Sequence, residues 1–180
     1  MTTSDRSLLE FYFQVTKLKT TVRKGWTVYG IPNPESVADH TFGVVVLAFL
    51  FAGKYKLNIE KVLILALIHD VAETIIGDIT PLDNVTEKEK LNLETEAMEK
   101  IFSVLSNKAS LMELWLDYQR KSSFESRLVF QLDKLELALQ ARRYEGDFSK
   151  NFDDFYTYAI GNVIDSEFKI FIEEIKNFNP

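Results

Sequence analysis

Apolar residues recur at spacings of three and four along almost the whole chain, a pattern typical of α-helices with one buried face. No stretch of useful length alternates apolar and polar residues, as a half-buried β-strand would. The spacing predicts helices at residues 8–22, 36–53, 58–75, 86–105, 110–120, 125–144, 151–160 and 163–178. Glycines and prolines between residues 23 and 34 predict a loop there. The sequence therefore predicts an all-α chain.

Composition narrows the classes of function. The chain has 180 residues, 46% of them hydrophobic, which suits a single domain spanning residues 1–180. Its 21 Lys and Arg against 27 Asp and Glu give a formal net charge of −6, which argues against a nucleic-acid polymer or an anionic membrane as a partner. The chain has no cysteine, which excludes a disulfide scaffold, Cys-ligated zinc, iron–sulfur clusters and thiol catalysis.

The sequence predicts neither a targeting segment nor a membrane span. The N-terminus has no basic stretch leading into an apolar core, so we expect no signal peptide. The longest apolar run, residues 44–52, has about half of the roughly 20 residues that a spanning helix needs. A second run, residues 62–68, is shorter. We therefore expect two buried core helices in a soluble, cytoplasmic protein.

The chain has only two histidines, His40 and His69, so any histidine-dependent chemistry uses one or both. His69 and Asp70 directly follow the apolar run 62–68, which predicts the end of a buried helix. An imidazole and a carboxylate at such a place are costly unless they are paired or bound to a cation. Two imidazoles with carboxylates suit a divalent first-row metal ion.

Three further acids accompany the histidines. Glu73 lies four residues after His69, which on a continuous helix places it one turn on and facing the same way. Asp78 follows Gly77, where the helix is predicted to stop. Asp133 interrupts apolar neighbours on the predicted helix 125–144. These acids complete a mixed set of nitrogen and oxygen donors.

Each of these residues also has a structural interpretation. His69 can be a capping or core histidine bonded to Asp70 or to a carbonyl, and His40 a surface residue near the start of its helix. Asp133 can belong to an ordinary salt bridge with a neighbouring lysine or arginine. The charged stretch 87–100 is interpreted as a solvated helix face, because apolar residues interleave with its charges at near-helical spacing.

The order His40, then His69-Asp70, then a distant Asp133 resembles the HD-domain metallohydrolases, whose metal is held by such an H…HD…D set. The segments around these residues, 18–26, 34–40, 69–81 and 131–136, are similar to the HD-domain 5′-deoxynucleotidases. Within this family, the similarity is to the short single-domain proteins of the eukaryotic and archaeal branch. It covers residues from about Leu8 to Tyr144.

The resemblance implies a compact HD-domain helical bundle with a metal site between its central helices. The motif-bearing core is then residues 8–144, and the C-terminal helices cover about 151–178. The residues that match the family's metal ligands are His40, His69, Asp70 and Asp133. Glu73 matches the catalytic acid/base, and Asp78 matches an acid near the sugar or a second divalent ion. That second ion would be held by Glu73, Asp78 and the backbone carbonyl of Ile79.

The resemblance also implies how the substrate is bound. Arg23 and Trp26 match the phosphate-binding arginine and the tryptophan that disfavours a ribose 2′-hydroxyl. In the bacterial branch these two residues are adjacent, whereas Lys24 and Gly25 separate them here. Lys19 or Lys24 is therefore an alternative ligand for the phosphate.

The implied activity is metal-dependent hydrolysis of deoxyribonucleoside 5′-monophosphates to a deoxynucleoside and phosphate. The alternatives are another HD-type reaction, on a triphosphate, a phosphodiester or guanosine tetraphosphate, and a binding module that is merely stabilised by metal. Mn²⁺, Co²⁺, Mg²⁺, Fe²⁺ and Ni²⁺ all remain candidates for the cofactor. A homodimer is expected, and the aromatic C-terminal third is a candidate interface, although core packing explains any one of its residues Phe152, Phe155, Tyr156 and Tyr158.

Overall fold

The computed structural model describes residues 2–178, apart from the side chains of Thr3 and Ser4. Its α-helices are α1 (Thr3–Val15), α2 (Lys24–Val28), α3 (Val37–Lys54), α4 (Ile59–Ile68), α5 (Glu73–Ile76), α6 (Glu87–Phe102), α7 (Lys108–Arg120), α8 (Phe124–Phe148), α9 (Asp153–Asn162) and α10 (Ser166–Asn177). Two 3₁₀ turns cover Thr16–Lys19 and Pro81–Asp83. Among the described residues, β pairing is limited to one isolated bridge between Val22 and Ser36. The all-α prediction is confirmed.

Local capping explains where several helices begin. Ser36 and Asp39 bond reciprocally through side chain and backbone at the start of α3, and Thr86 and Glu89 do so at α6, as the sequence predicts. At α1 the prediction of 8–22 is wrong, because Thr2 caps the helix and it becomes a 3₁₀ turn after Val15. The capping residues there, Thr2 and Asp5, precede Leu8, where the apolar pattern begins, so that pattern alone does not detect them.

The predicted continuous helix over 58–75 is also wrong. Helix α4 ends at Ile68, and α5 begins only at Glu73, so His69 to Ala72 form a turn. The argument that Glu73 lies one helical turn beyond His69 therefore fails. Gly77 ends α5 as predicted, and its φ of +75° explains the glycine, since other residues seldom adopt such a backbone. The apolar run thus stops where the candidate ligands begin.

The chain divides into two compact units. The first comprises Met1–Phe42 and Leu67–Arg120, and the second comprises Gly43–Ala66 and Lys121–Pro180. Large, fully buried side chains form the core of the first unit: Trp26, Met98, Phe102 and Trp115. The corresponding side chains in the second unit are Leu132, Leu135, Phe152, Tyr156 and Ile172. The single domain over residues 1–180 stays a prediction.

The second unit is tied together by buried polar contacts as well as by its core. The Gln131 side chain donates to Asp165 Oδ2 and accepts from the Asp165 backbone N–H, both at 2.8 Å, which joins α8 to the start of α10. Phe152 and Tyr156 are buried here, which makes them core residues of the unit. Core packing, the explanation that the sequence offers for any one of these aromatic residues, therefore applies to Phe152 and Tyr156 rather than a place in the C-terminal interface.

Helix α3 is unusually apolar on its outside. By length and composition it is the one helix of the described chain that is able to cross a membrane, and 33% of it is buried. The core helix of a soluble protein passes the same test. The expectation of a buried core helix over residues 44–52 is therefore wrong for Val46, Phe49 and Leu50, which are exposed.

Candidate metal centre

His40, His69 and Asp70 lie together in the first unit. His40 sits in the first turn of α3, and His69 and Asp70 form the turn that follows α4. The two Nε2 atoms are 3.4 Å apart, and Asp70 Oδ2 lies 3.6 Å from His40 Nε2 and 3.2 Å from His69 Nε2. Both imidazoles are buried. Three ligating atoms therefore converge on one point inside the unit.

The spacing of these three atoms fits a divalent cation. Ligand atoms about 2.1 Å from one ion lie about 3.0 Å apart at octahedral angles and about 3.4 Å apart at tetrahedral angles. The observed separations of 3.2 to 3.6 Å are close to that range. Neutral imidazole nitrogens and a carboxylate are also the donors that first-row metals prefer. The residues present thus fit the metal that the sequence predicts.

Glu73 is a buried acid next to this cluster. It opens α5 and its Oε2 has no hydrogen-bond partner among the described residues. Burial raises the pKa of its carboxyl group well above the ordinary value, and the charges of Asp70 and Asp78 raise it further. The cations of Arg23 and Lys90 act in the opposite direction. An unpartnered buried acid is costly for folding, which makes Glu73 a candidate functional residue.

Arg23 reaches the cluster from the loop before α2. The Arg23 backbone N–H donates to the Glu35 carbonyl at 3.2 Å, beside the Val22–Ser36 bridge, and this pairing holds Arg23 next to the start of α3. Its guanidinium lies 3.7 Å from Glu35 Oε1 and 4.0 Å from Asp70 Oδ2. Among the candidate phosphate ligands, Arg23 is thus the cation beside the predicted metal ligands.

The two alternative lysines are placed differently. The Lys24 ammonium pairs with Asp83 Oδ1 at 3.1 Å, and Lys19 lies exposed on the 3₁₀ turn after α1. The Lys24 backbone N–H instead donates to Asp78 Oδ2 at 2.6 Å. Lys24 therefore helps to hold Asp78, which is buried.

Trp26 is buried on α2, and its indole Nε1 donates to Glu35 Oε1 at 2.8 Å. Glu35 thus links Trp26 to Arg23, since the same oxygen lies 3.7 Å from the Arg23 Nε. Sequence reasoning assigned no role to Glu35. Its place immediately before the cap of α3 was the available signal.

Lys90 is a second residue that sequence reasoning missed. It lies on α6, where its ammonium donates to the Ile79 carbonyl at 3.4 Å and lies 3.8 Å from Glu94 Oε1. Glu94 in turn accepts from the Gln119 side chain at 3.0 Å, and burial raises its pKa. The carbonyl of Ile79, a predicted ligand of a second ion, therefore already contacts a cation. Part of the charged stretch 87–100 faces the site rather than solvent.

Asp133, the fourth predicted ligand, belongs to the second unit. It lies on α8, is buried, and its Oδ2 is 2.9 Å from the ammonium of Lys134. This is the ion pair that the structural interpretation of Asp133 anticipated. Its role as a metal ligand stays a prediction.

Comparisons with known proteins agree on one family. A family model described as HD domain matches residues 15–175. The 5′-deoxynucleotidase HDDC2 of Homo sapiens is 39% identical over 175 residues, which cover 95% of this chain and 85% of that protein. The 5′-deoxynucleotidase hdd1 of Schizosaccharomyces pombe is 38% identical over 149 residues, covering 79% of this chain and 75% of that protein.

Solved structures give the same result for the fold. The crystal structure of the PH0347 protein from Pyrococcus horikoshii superimposes with a TM-score of 0.79 at 35% identity. The match covers 94% of this chain and 96% of that one. A predicted metal-dependent phosphohydrolase from Magnetospirillum magnetotacticum, 20% identical, shares the fold with a TM-score of 0.76 over 98% of this chain and 95% of that one.

Proposed function

The chain belongs to the HD-domain family, and from that premise we propose that it is a metal-dependent 5′-deoxynucleotidase. It hydrolyses deoxyribonucleoside 5′-monophosphates to a deoxynucleoside and inorganic phosphate. The observation that carries the proposal is buried Glu73, whose Oε2 lacks a hydrogen-bond partner among the described residues, close to Asp70. A site that served only to stabilise the fold would have no need of such an acid.

The metal ligands are His40, His69 and Asp70, with Asp133 as the predicted fourth. When bound there, a divalent cation supplies Lewis acidity, which lowers the pKa of water and polarises a phosphoryl oxygen. Mn²⁺, Co²⁺, Mg²⁺, Fe²⁺ and Ni²⁺ are all compatible with this donor set. A second ion at Glu73, Asp78 and the Ile79 carbonyl is part of the proposal. Lys90 would have to leave the carbonyl for that ion to bind.

Side chains of the first unit bind the substrate and transfer the proton. Arg23 binds the phosphate and neutralises its charge, since its guanidinium lies beside Asp70. Glu73 orients the attacking water and takes its proton at Oε2. Asp78, held by the backbone of Lys24, is placed to contact the sugar. Water attacks phosphorus as the bond from phosphorus to the sugar O5′ breaks, and Glu73 returns the proton to O5′, so that the deoxynucleoside and phosphate leave. No covalent intermediate forms in this scheme, because both histidines are metal ligands and the chain has no cysteine.

The charge of the chain and the cation at the site indicate the class of substrate. The substrate is a single nucleotide rather than a nucleic-acid polymer, because the chain has a net charge of −6 and one cation, Arg23, lies beside Asp70 to meet a single phosphate. The protein acts as a homodimer in the cytoplasm, without a membrane.

The proposal is tested by phosphate release from a panel of nucleotides by metal-depleted protein, with each divalent ion added back in turn. We expect release from dAMP or dUMP, little from AMP, and none from triphosphates or cyclic dinucleotides. A His69→Ala variant that stays folded should lose both bound metal and activity. Faster hydrolysis of triphosphates or diesters than of any deoxynucleoside monophosphate would refute the proposed substrate class.

Selection against the ribose 2′-hydroxyl is tested separately at Trp26. Trp26→Phe should lower the ratio of kcat/KM for dAMP to that for AMP, because the indole and its bond to Glu35 are lost. Trp115→Phe is the matched control, since Trp115 is equally buried, on α7, and its Nε1 has no partner among the described residues. An unchanged ratio in Trp26→Phe would assign Trp26 to packing alone.

A further inference from the structure

The outward face of α3 carries no polar side chain over more than three turns. Phe42 is 70% exposed, Val46 40%, Phe49 62% and Leu50 59%, and the exposed Gly53 follows them. Their spacing places all five on one stripe of the helix. No charged residue occurs between His40 and Lys54. We call these five residues the α3 face.

The apolar area of the α3 face is large enough for an interface between proteins. From these exposures its four side chains present roughly 400 Å² of apolar surface, within the range of the largest patch on a typical monomer. A standard interface buries about 800 Å² on each partner, of which about 65% is apolar in homodimers. The α3 face alone supplies most of that apolar share.

The order of residues along the α3 face makes it complementary to itself. If two copies of α3 run antiparallel about a twofold axis between Val46 and Phe49, each of these residues faces the other on the opposite copy. The same operation sets Phe42 against Gly53 of the second copy. A Cβ at Gly53 would meet nothing within 4 Å, so there is open space for a ring. A large side chain therefore meets a small one at both ends, as an isologous contact requires.

Charges at the ends of the helix favour the same arrangement. Antiparallel packing sets Asp39, in the first turn, against the end that carries the exposed Lys56 of the other copy. It also aligns the two helix dipoles in opposite directions, which is favourable. A membrane surface fits less well, because the protein has a net charge of −6 and interfacial helices use basic residues to reach anionic lipids.

We propose that the α3 face is the surface through which two copies of this chain associate, with their α3 helices antiparallel. The inference rests on the proposed homodimer and specifies which residues form it. It also gives the dimer a relation to the metal centre: His40 lies two residues before Phe42 on the same helix. Association of two copies therefore packs against the helix that carries His40, a predicted metal ligand.

The first test is the mass of the protein in solution. One chain has a mass of 20.8 kDa, and at about 50 µM sedimentation equilibrium should give twice that value. Phe49→Glu should weaken association by about 10³-fold, because the buried charge occurs twice in a symmetric interface. Phe124→Glu is the control: Phe124, on α8, is 72% exposed but lies outside the α3 face, so this variant should remain a dimer.

The second test uses the absence of cysteine from the chain to read the register. Val46→Cys protein mixed with Phe49→Cys protein should form a disulfide between the two variants under mild oxidation, since facing Cα atoms fall within about 7 Å. Helices packed in parallel would instead link Val46→Cys to itself. That result, or a wild-type protein with the mass of one chain, would overturn the proposal.

Two further measurements separate this inference from its alternatives. Wild-type protein of single-chain mass that sediments with vesicles of phosphatidylcholine and phosphatidylglycerol, and loses that binding in Phe49→Glu, would assign the α3 face to a membrane and overturn the proposal. Phosphate release from dAMP is measured on the same samples. Hydrolysis by a single-chain wild-type protein would refute the dimer and leave the deoxynucleotidase function standing.

Discussion

Replacing Glu73 with glutamine tests the proton-transfer step without changing the shape of the site. Glutamine has nearly the volume of glutamate, so the buried pocket stays filled. It cannot take a proton from water, and general acid–base catalysis contributes 10²- to 10⁴-fold in rate. We therefore expect kcat for dAMP to fall by about 10²- to 10⁴-fold, or about 2.7 to 5.4 kcal/mol in activation free energy.

The same substitution should not destabilise the fold. Burial and the charges of Asp70 and Asp78 raise the pKa of Glu73, so ionised Glu73 disfavours the folded state, and a neutral amide removes that cost. The free energy of unfolding in urea should thus be unchanged or higher than that of the wild type. A loss of activity together with a loss of stability would mean that the variant is misfolded rather than chemically impaired.

The assay measures phosphate release at saturating dAMP, with metal content determined on the same protein. Glu96→Gln, at an exposed position of α6, controls for the loss of an acid away from the site. A Glu73→Gln variant that keeps its metal and its kcat to within about threefold would refute the acid/base role of Glu73.

Lys90, Gly43 and the metal ligands each give a further measurable effect. Lys90→Met should lower kcat/KM by about tenfold, because it removes a cation that lowers the pKa of Glu73, while Lys90→Arg should keep part of the activity and exposed Lys88→Met should change nothing in the same assay. Gly43→Ala should lower the free energy of unfolding in urea by about 1 kcal/mol, because its Cβ would lie 2.7 Å from Oε1 and 2.8 Å from Cγ of Glu136. This overpacking exceeds the gain in helix propensity. Gly146→Ala is the control: the space around Gly146 is open, so the variant should show only the gain in helix propensity. Adding Mn²⁺ or Co²⁺ to chelator-treated protein at about 100 times Kd should raise Tm in a thermal melt by about 5–10 °C, and no rise would contradict the ligand set.

Much of the architecture was predictable because helix propensity and apolar spacing act locally. The reciprocal bonds of Ser36 with Asp39 and of Thr86 with Glu89 depend on residues three apart, so the sequence contains the whole signal. The turn at His69–Ala72 was not predictable in this way. No glycine or proline interrupts the pattern there, and the apolar residues Val71 and Ala72 continue it.

The candidate site also has features that the sequence predicts and features that it does not. His40 was matched to His69 and Asp70 from the order of residue types, and the structure brings their ligating atoms within 3.6 Å. The contact of Lys90 with the site depends instead on how α6 packs. A lysine on an amphipathic helix is expected to face solvent. The sequence does not show which carbonyl of a neighbouring segment its ammonium contacts.

The central claim is that a divalent cation at His40, His69 and Asp70 is required for phosphate release. The most direct measurement is a titration of metal-free protein with Mn²⁺ or Co²⁺, with phosphate release from dAMP recorded at each addition. We predict activity that rises from background and saturates in the wild type, and a flat response in folded His69→Ala. Release from dAMP that is equally fast in metal-free protein, or a His69→Ala response equal to that of the wild type, would contradict the account.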